Sequence, residues 1–142
     1  MRFWDSSALA PLFLIETSSQ QVRAWYRTDP DVLVWWLSRV ELFSAIARRR
    51  REDQVSPEPY RAARAQILRV WDEWSVVDAY EAVAREAERT IELYPLRAAD
   101  ALQLGAALVA ADGDPGSLEF VTLDRRLADA ASREGFPTLG AG

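Results

Sequence analysis

A chain of 142 residues with 49% hydrophobic content has the size and composition of a single domain, residues 1–142, with a sizeable core. It has no histidine and no cysteine, which excludes a Ser-His-Asp triad, a histidine general base, disulfides and the usual zinc sites. Net charge is −5 and all 17 basic residues are arginine, a balance that makes a poor generic nucleic-acid binder.

No run of about 18 apolar residues is present, so no membrane span is expected. The opening Met1-Arg2-Phe3-Trp4-Asp5 lacks the apolar region and cleavage site of a signal peptide. A cytoplasmic protein is the expectation, and the missing cysteines agree with it.

Arg2 to Asp5 reads as a short strand ending in a charge, followed by a helix over Ser6–Phe13. A second helix is expected from Ser18 or Ser19 to Arg27, and Asp29-Pro30-Asp31 is a turn. Val32 to Leu37 is apolar without alternation, the pattern of a strand covered on both faces in a parallel sheet. Ser38-Arg39-Val40-Glu41 matches a capping box and opens a helix to about Arg50.

Pro57 and Pro59 open another helix, ending near Trp74. Its apolar positions Tyr60, Ala63, Ile67, Val70, Trp71 and Trp74 recur at helical spacing. Ser75-Val76-Val77 is a third strand, and Asp78 to Glu81 reads as the cap of a helix that stops before Pro95. Leu96 to Ala111 is an Ala/Leu-rich helix ended by Asp112-Gly113-Asp114-Pro115-Gly116. Glu119 to Leu123 is a fourth strand, Asp124 to Glu134 a helix stopped by Gly135, and Phe136 to Leu139 a final edge strand. Alternating strands and helices imply a three-layer α/β/α sandwich around a short, mainly parallel sheet of four to five strands.

In such a sheet the strands' carboxyl ends share one rim, where ligands bind. Asp5 and Asp124 each end a strand, Glu41 lies one turn into the helix after the second strand, and Asp100 lies early in the helix before the fourth. Four carboxylates converging there, with no nitrogen or sulfur ligand, suit a hard divalent cation such as Mg²⁺ or Mn²⁺. Like charges this close should raise at least one carboxylate pKa.

Each acid also has a plainer reading. Asp5 and Asp124 are favoured N-cap residues, Glu41 completes a capping box, and Asp100 can pair with Arg97 three residues earlier. Asp78 is a control, since it too follows a strand and opens a helix, while Glu119 falls at the opposite end of its strand. Arg48, Arg49, Arg50 and Arg51 form the most basic stretch, read first as a solvated helix end and alternatively as an RNA or protein contact. Trp35 and Trp36 are expected in the core or against flanking helices, and Trp71 and Trp74 in the core or in a partner groove.

Four segments, in order, carry a resemblance: Phe3-Trp4-Asp5-Ser6-Ser7-Ala8-Leu9, Ser38 to Ala45, Leu96 to Leu104, and Phe120-Val121-Thr122-Leu123-Asp124-Arg125-Arg126-Leu127. The sequence resembles the PIN-domain ribonucleases, in particular VapC-like toxins of type II toxin–antitoxin systems. The resemblance implies a metal-dependent endoribonuclease that hydrolyses RNA phosphodiesters using Mg²⁺ or Mn²⁺, with a cognate antitoxin and often a homodimer. The family's acidic metal-binding positions carry over onto Asp5, Glu41, Asp100 and Asp124, with Asp5 and Asp100 as leading direct ligands. Ser6 and Thr122 match the small hydroxyl positions that support the site. Some relatives have a basic residue shortly after Leu9, where this chain has Ala10-Pro11.

Two other readings compete. A phosphatase with Asp5 as nucleophile is weakened because Ser7 stands where a second Asp is usual, and because no lysine is present. A non-catalytic binding module would use the acids only as caps.

Overall fold

The computed structural model describes residues 1–140. Five strands form one sheet: β1 (Arg2–Trp4), β2 (Val32–Trp35), β3 (Ser75–Val77), β4 (Glu119–Thr122) and β5 (Thr138–Gly140). Their order is β3-β2-β1-β4-β5 and every pairing is parallel. The seven α-helices are α1 (Ser6–Leu9), α2 (Ser19–Thr28), α3 (Ser38–Arg51), α4 (Pro57–Trp71), α5 (Tyr80–Leu93), α6 (Ala98–Ala111) and α7 (Arg125–Arg133). The expected α/β sandwich is therefore observed, with a sheet parallel throughout.

Strand alternation splits the core into two layers. Phe3, Leu33, Trp35 and Phe120 pack under Val83 of α5, Leu104 of α6 and Leu127 of α7. Trp4, Val32, Val34 and Val121 face Leu9 of α1, Val22 of α2, Leu42 and Ile46 of α3, and Ile67 of α4. Both faces of every inner strand are covered, which is why Val32 to Trp35 reads as an unbroken apolar run. The α5–α6 packing is close enough that a Cβ at Gly105 would stand 2.7 Å from the Val83 carbonyl oxygen.

Several elements end earlier or start later than the sequence suggests. The run from Val32 stops being strand at Trp35: the Trp36 N–H makes a last sheet bond to the Val77 oxygen, and the chain then turns into α3. Trp36 is 48% exposed, whereas Trp35 is buried. Helix α4 closes at Trp71, with Trp74 N–H bonded to Trp71 oxygen in a tighter turn. Trp71 and Trp74 nevertheless both pack inward, with ring centroids 6.2 Å apart. Helix α6 starts at Ala98, since Arg97 is extended after Pro95. The helix expected over Ser6–Phe13 divides into α1 and a 3-10 turn at Ala10–Leu12, where Pro11 enters.

Strand order fixes where a ligand can sit. The chain runs β1, β2, β3 outward on one side, then returns to place β4 on the other side of β1. The order reverses between β1 and β4, and the connections there leave in opposite directions and open a crevice beyond the strand ends. Asp5 follows β1 directly, and Asp124 follows β4 after one intervening residue.

Candidate metal centre

Asp5 occupies the floor of this crevice. Its N–H bonds the Val121 oxygen at 3.1 Å, so the register of β1 on β4 fixes its backbone. Its side chain is almost wholly buried, 3% exposed. Ser7 Oγ donates to Asp5 Oδ1 at 2.7 Å, whereas the capping bond from Ala8 N–H to the same oxygen is long, at 3.4 Å. Burial pushes the Asp5 carboxyl up from its ordinary 3.8 to about 7. The Ser7 and Thr122 hydroxyls and the Ala8 N–H oppose this rise, and the neighbouring Glu41 charge adds to it. A helix cap needs no such burial, so capping alone does not account for Asp5.

Three hydroxyl-mediated bonds lace the two strand ends together. Leu123 N–H donates to Ser7 Oγ at 2.9 Å, Ser7 Oγ and Thr122 Oγ1 lie 3.3 Å apart, and Asp124 N–H donates to Thr122 Oγ1 at 3.0 Å. Asp124 does cap α7, its Oδ1 accepting from Leu127 N–H at 3.0 Å, and its side chain also lines the cleft. The two readings of Asp124 are thus compatible.

Glu41 is held by a different pair. Ser6 Oγ donates to Glu41 Oε2 at 3.1 Å, and Gln103 Nε2 donates to Oε1 at 2.7 Å. The capping-box reading fails here: the N-cap of α3 is Leu37, with no side-chain bond, and Ser38 is already helical. Ser38 Oγ instead accepts from Gln103 Nε2 at 2.9 Å. The expected cap at Asp78 is absent too, since α5 has Ala79 at its N-cap without a side-chain bond. Burial raises the Glu41 carboxyl above its usual range, Gln103 and Ser6 pull it down, and the Asp100 charge adds to the rise.

Asp100 stands in the first turn of α6 and makes no ion pair with Arg97 among the described residues. Burial raises its carboxyl first and the Asp124 charge second, against the pull of the Arg97 backbone, Arg97 and Arg126. The expected upward shifts are therefore present, but loss of water outweighs repulsion between the acids as their cause.

All four acids line one cleft of about 570 Å³, together with Ser6, Ser7, Arg48 and Arg49. Asp78 is exposed and Glu119 begins β4 at the far end of the sheet, and neither lines this cleft. Of the basic run, Arg49 pairs with Glu16 at 2.7 Å and Arg50 lies 3.7 Å from Asp53, while Arg50 and Arg51 stand outside the cleft.

The donor set suits a hard cation: carboxylates and hydroxyls, with no nitrogen or sulfur ligand. Neighbouring acids form a chain from Asp5 to Glu41, Asp100 and Asp124. Among the described residues no three of them form a ready-made ion-holding group as they stand. Gln103 and Ser7 carry much of the site's hydrogen bonding, and no motif in the sequence singles them out. Gln103 does leave a trace: it is a polar residue three positions after Asp100, hence on the same helical face, within Leu-Gln-Leu.

The sequence profile of the PIN domain matches residues 2–133. The chain belongs to the PIN domain family. The resemblance carried by the four segments is thus borne out, and this PIN domain has close counterparts in overall shape. One is a toxin–antitoxin complex from Klebsiella pneumoniae, with a TM-score of 0.67 at 15% identity, covering 100% of this chain and 98% of the other. Another is FitAcB from Neisseria gonorrhoeae, with a TM-score of 0.68 at 16% identity, covering 99% and 98%. At such identities the likeness establishes the fold alone. None of the curated proteins matches the chain. No helix among the described residues is long and apolar enough to cross a membrane.

Proposed function

We propose that this PIN domain is a metal-dependent endoribonuclease and the toxin of a type II toxin–antitoxin pair. The observation that carries this reading is Asp5, a carboxylate buried at the floor of a cleft that three further acids line. A buried carboxylate without a cationic partner is costly, and a bound cation offsets that cost.

Asp5, Glu41, Asp100 and Asp124 would hold Mg²⁺ or Mn²⁺, which when bound supplies Lewis-acid stabilisation of a phosphoryl oxygen and a nucleophilic water. The chain's own residues prepare for this. Ser7 holds one oxygen of Asp5 and Ser6 one oxygen of Glu41, which orients both carboxylates. Gln103 fixes Glu41 from below, its buried amide reaching the carboxylate from α6. Arg48 and Arg49 line the same cleft and suit a phosphate oxygen.

The solved relatives include a toxin–antitoxin complex, which supports a cognate antitoxin for this chain as well. We infer that the antitoxin inserts a cationic side chain among the acids in place of the metal ion. A homodimer is part of the same reading. The phosphatase alternative finds less support, because Asp5 is the most buried of the four acids and Ser7 already binds Oδ1.

The test is cleavage of RNA by the purified protein with Mn²⁺, with Mg²⁺ and with EDTA, beside hydrolysis of a phosphate monoester. Wild type should cleave only RNA and only with metal. Asp5→Asn and Asp100→Asn should each remove cleavage while keeping the wild-type circular dichroism spectrum. Full activity in both variants would overturn the assignment.

A further inference from the structure

We propose that Arg97, Arg125 and Arg126 form a cationic wall that grips the RNA phosphates flanking the one being cleaved. This inference rests on the nuclease reading of the neighbouring acids and extends it to how the substrate is held. The acid cleft continues into a second recess of about 730 Å³. Glu41, Asp100 and Asp124 line it together with Arg48, Arg97, Arg125 and Arg126.

Helix stability does not explain these arginines. Arg97 is the N-cap of α6, and Arg125 and Arg126 are the first two residues of α7. A helix N-terminus carries partial positive charge and disfavours a cation by about 0.3–1 kcal/mol. The arginines at the end of α3 sit where the dipole favours them, so the two groups have different origins.

Fixed ion pairs do not explain them either. All three are exposed, and none makes an ion pair among the described residues, although Asp100 and Asp124 line the same recess. By contrast Arg2, Arg49 and Arg89 each hold a glutamate. Three guanidinium groups around one opening, none fixed in an ion pair among the described residues although Arg97 and Arg126 act on Asp100 through space, form a site for oxyanions, and guanidinium matches phosphate in a planar, two-pronged manner.

The protein's overall charge gives the wall a purpose. At −5, and with four acids in the cleft, the chain repels a polyanion. A local cationic surface beside the acids supplies the missing attraction and orients the strand toward them. The contact is to backbone phosphates, so it confers affinity and register without sequence preference.

The experiment measures binding of a fluorescent oligouridylate by anisotropy across a salt series in EDTA, where no metal-dependent cleavage occurs. Each phosphate contact contributes about −0.7 to the slope of log affinity against log salt for a single strand. The Arg97→Gln/Arg125→Gln/Arg126→Gln variant should have a slope shallower by about 2, and each single variant by about 0.7. Arg50→Gln/Arg51→Gln, outside the cleft, should keep the wild-type slope. Hydrolysis of RNA and of bis-para-nitrophenyl phosphate, a diester with no flanking phosphate, by the wild type with Mn²⁺ is measured alongside.

An unchanged slope in the triple variant overturns the wall. So does a slope that falls equally in the Arg50/Arg51 control. A triple variant with the wild-type RNA slope but weakened capture of an acidic peptide would reassign the surface to a protein partner. Wild-type protein that binds RNA through these arginines yet hydrolyses neither substrate with Mn²⁺ would overturn the nuclease reading instead, so the two failures are distinguishable.

Discussion

Gln103 Nε2 donates to Glu41 Oε1 at 2.7 Å across the boundary between the helical layer of α6 and that of α3. The amide is buried, and its orientation is fixed because only the NH₂ group can face a carboxylate. The same nitrogen also bonds Ser38, while Gln103 Oε1 has no partner. On the proposed metal reading Glu41 is a ligand, and groups that orient a ligand in this way typically govern affinity by about 10–100-fold. Gln103→Leu should therefore weaken Mn²⁺ binding by about that factor in calorimetric titration. Its melting temperature should not fall in proportion, because the leucine also removes an unpartnered oxygen. Unaltered Mn²⁺ affinity would show that Gln103 is only a core residue.

Asp5 gives the metal-free protein a specific pH dependence. In the fold its carboxyl keeps its proton up to about pH 7, against an ordinary value of 3.8. Folding thus takes up a proton between these values, and stability from this group is present below about pH 4 and lost as pH rises through about 7. Asp5→Asn removes the charge, so in EDTA at pH 8 it should be more stable than wild type by roughly 2–4 kcal/mol. The two should converge toward pH 4. Urea unfolding at both pH values checks this, and Mn²⁺ should restore stability to wild type alone.

Ser7→Ala tests the hydroxyl web. The substitution removes the donor to Asp5 and the acceptor for Leu123 N–H, and each such loss costs about 1–3 kcal/mol when the group left behind is buried. The bond to Ser7 favours the ionised Asp5, so without it the carboxyl should rise further. The pH at which Mn²⁺ binding is half developed should move upward, as read by titration at several pH values. A lower stability with no shift in that midpoint would confine Ser7 to a structural role.

Gly105 sets how closely α5 and α6 approach. An alanine methyl would lie 2.7 Å from the Val83 oxygen and 3.1 Å from the Ala87 nitrogen, both backbone atoms that cannot swing aside. Gly105→Ala should destabilise by about 1–3 kcal/mol. Because Asp100 and Gln103 ride on the same helix, Mn²⁺ affinity should fall as well. Thermal melting and metal titration together measure both effects.

Much of this arrangement was legible from the sequence because strand ends and chemistry coincide. Asp5 and Asp124 each close an apolar run, and in a parallel sheet that alone sends them to one rim. Glu41 was harder, because Ser38-x-x-Glu41 has the same spacing whether the pair caps a helix or faces a site. Only Gln103, 62 residues away, decides between them by taking both side chains. Ser7 was obscured by Ser6 beside it: two adjacent serines look alike, yet the turn into α1 sends one to Asp5 and the other to Glu41. Arg97, Arg125 and Arg126 were invisible as a group, because two helices separated by β4 bring them together.

Arg2 bears on all of this from the other end of the sheet. It opens β1 opposite Glu119, the first residue of β4, pairs with that carboxylate, and also donates to the Trp25 oxygen at 2.9 Å. Since side chains alternate along a strand, sliding β1 by one residue would exchange Phe3 for Trp4 between the two core layers and lift Asp5 away from Thr122. An ion pair remote from any reactive group thus indexes the strands like a dowel. Damage there would misalign the acids without touching one of them.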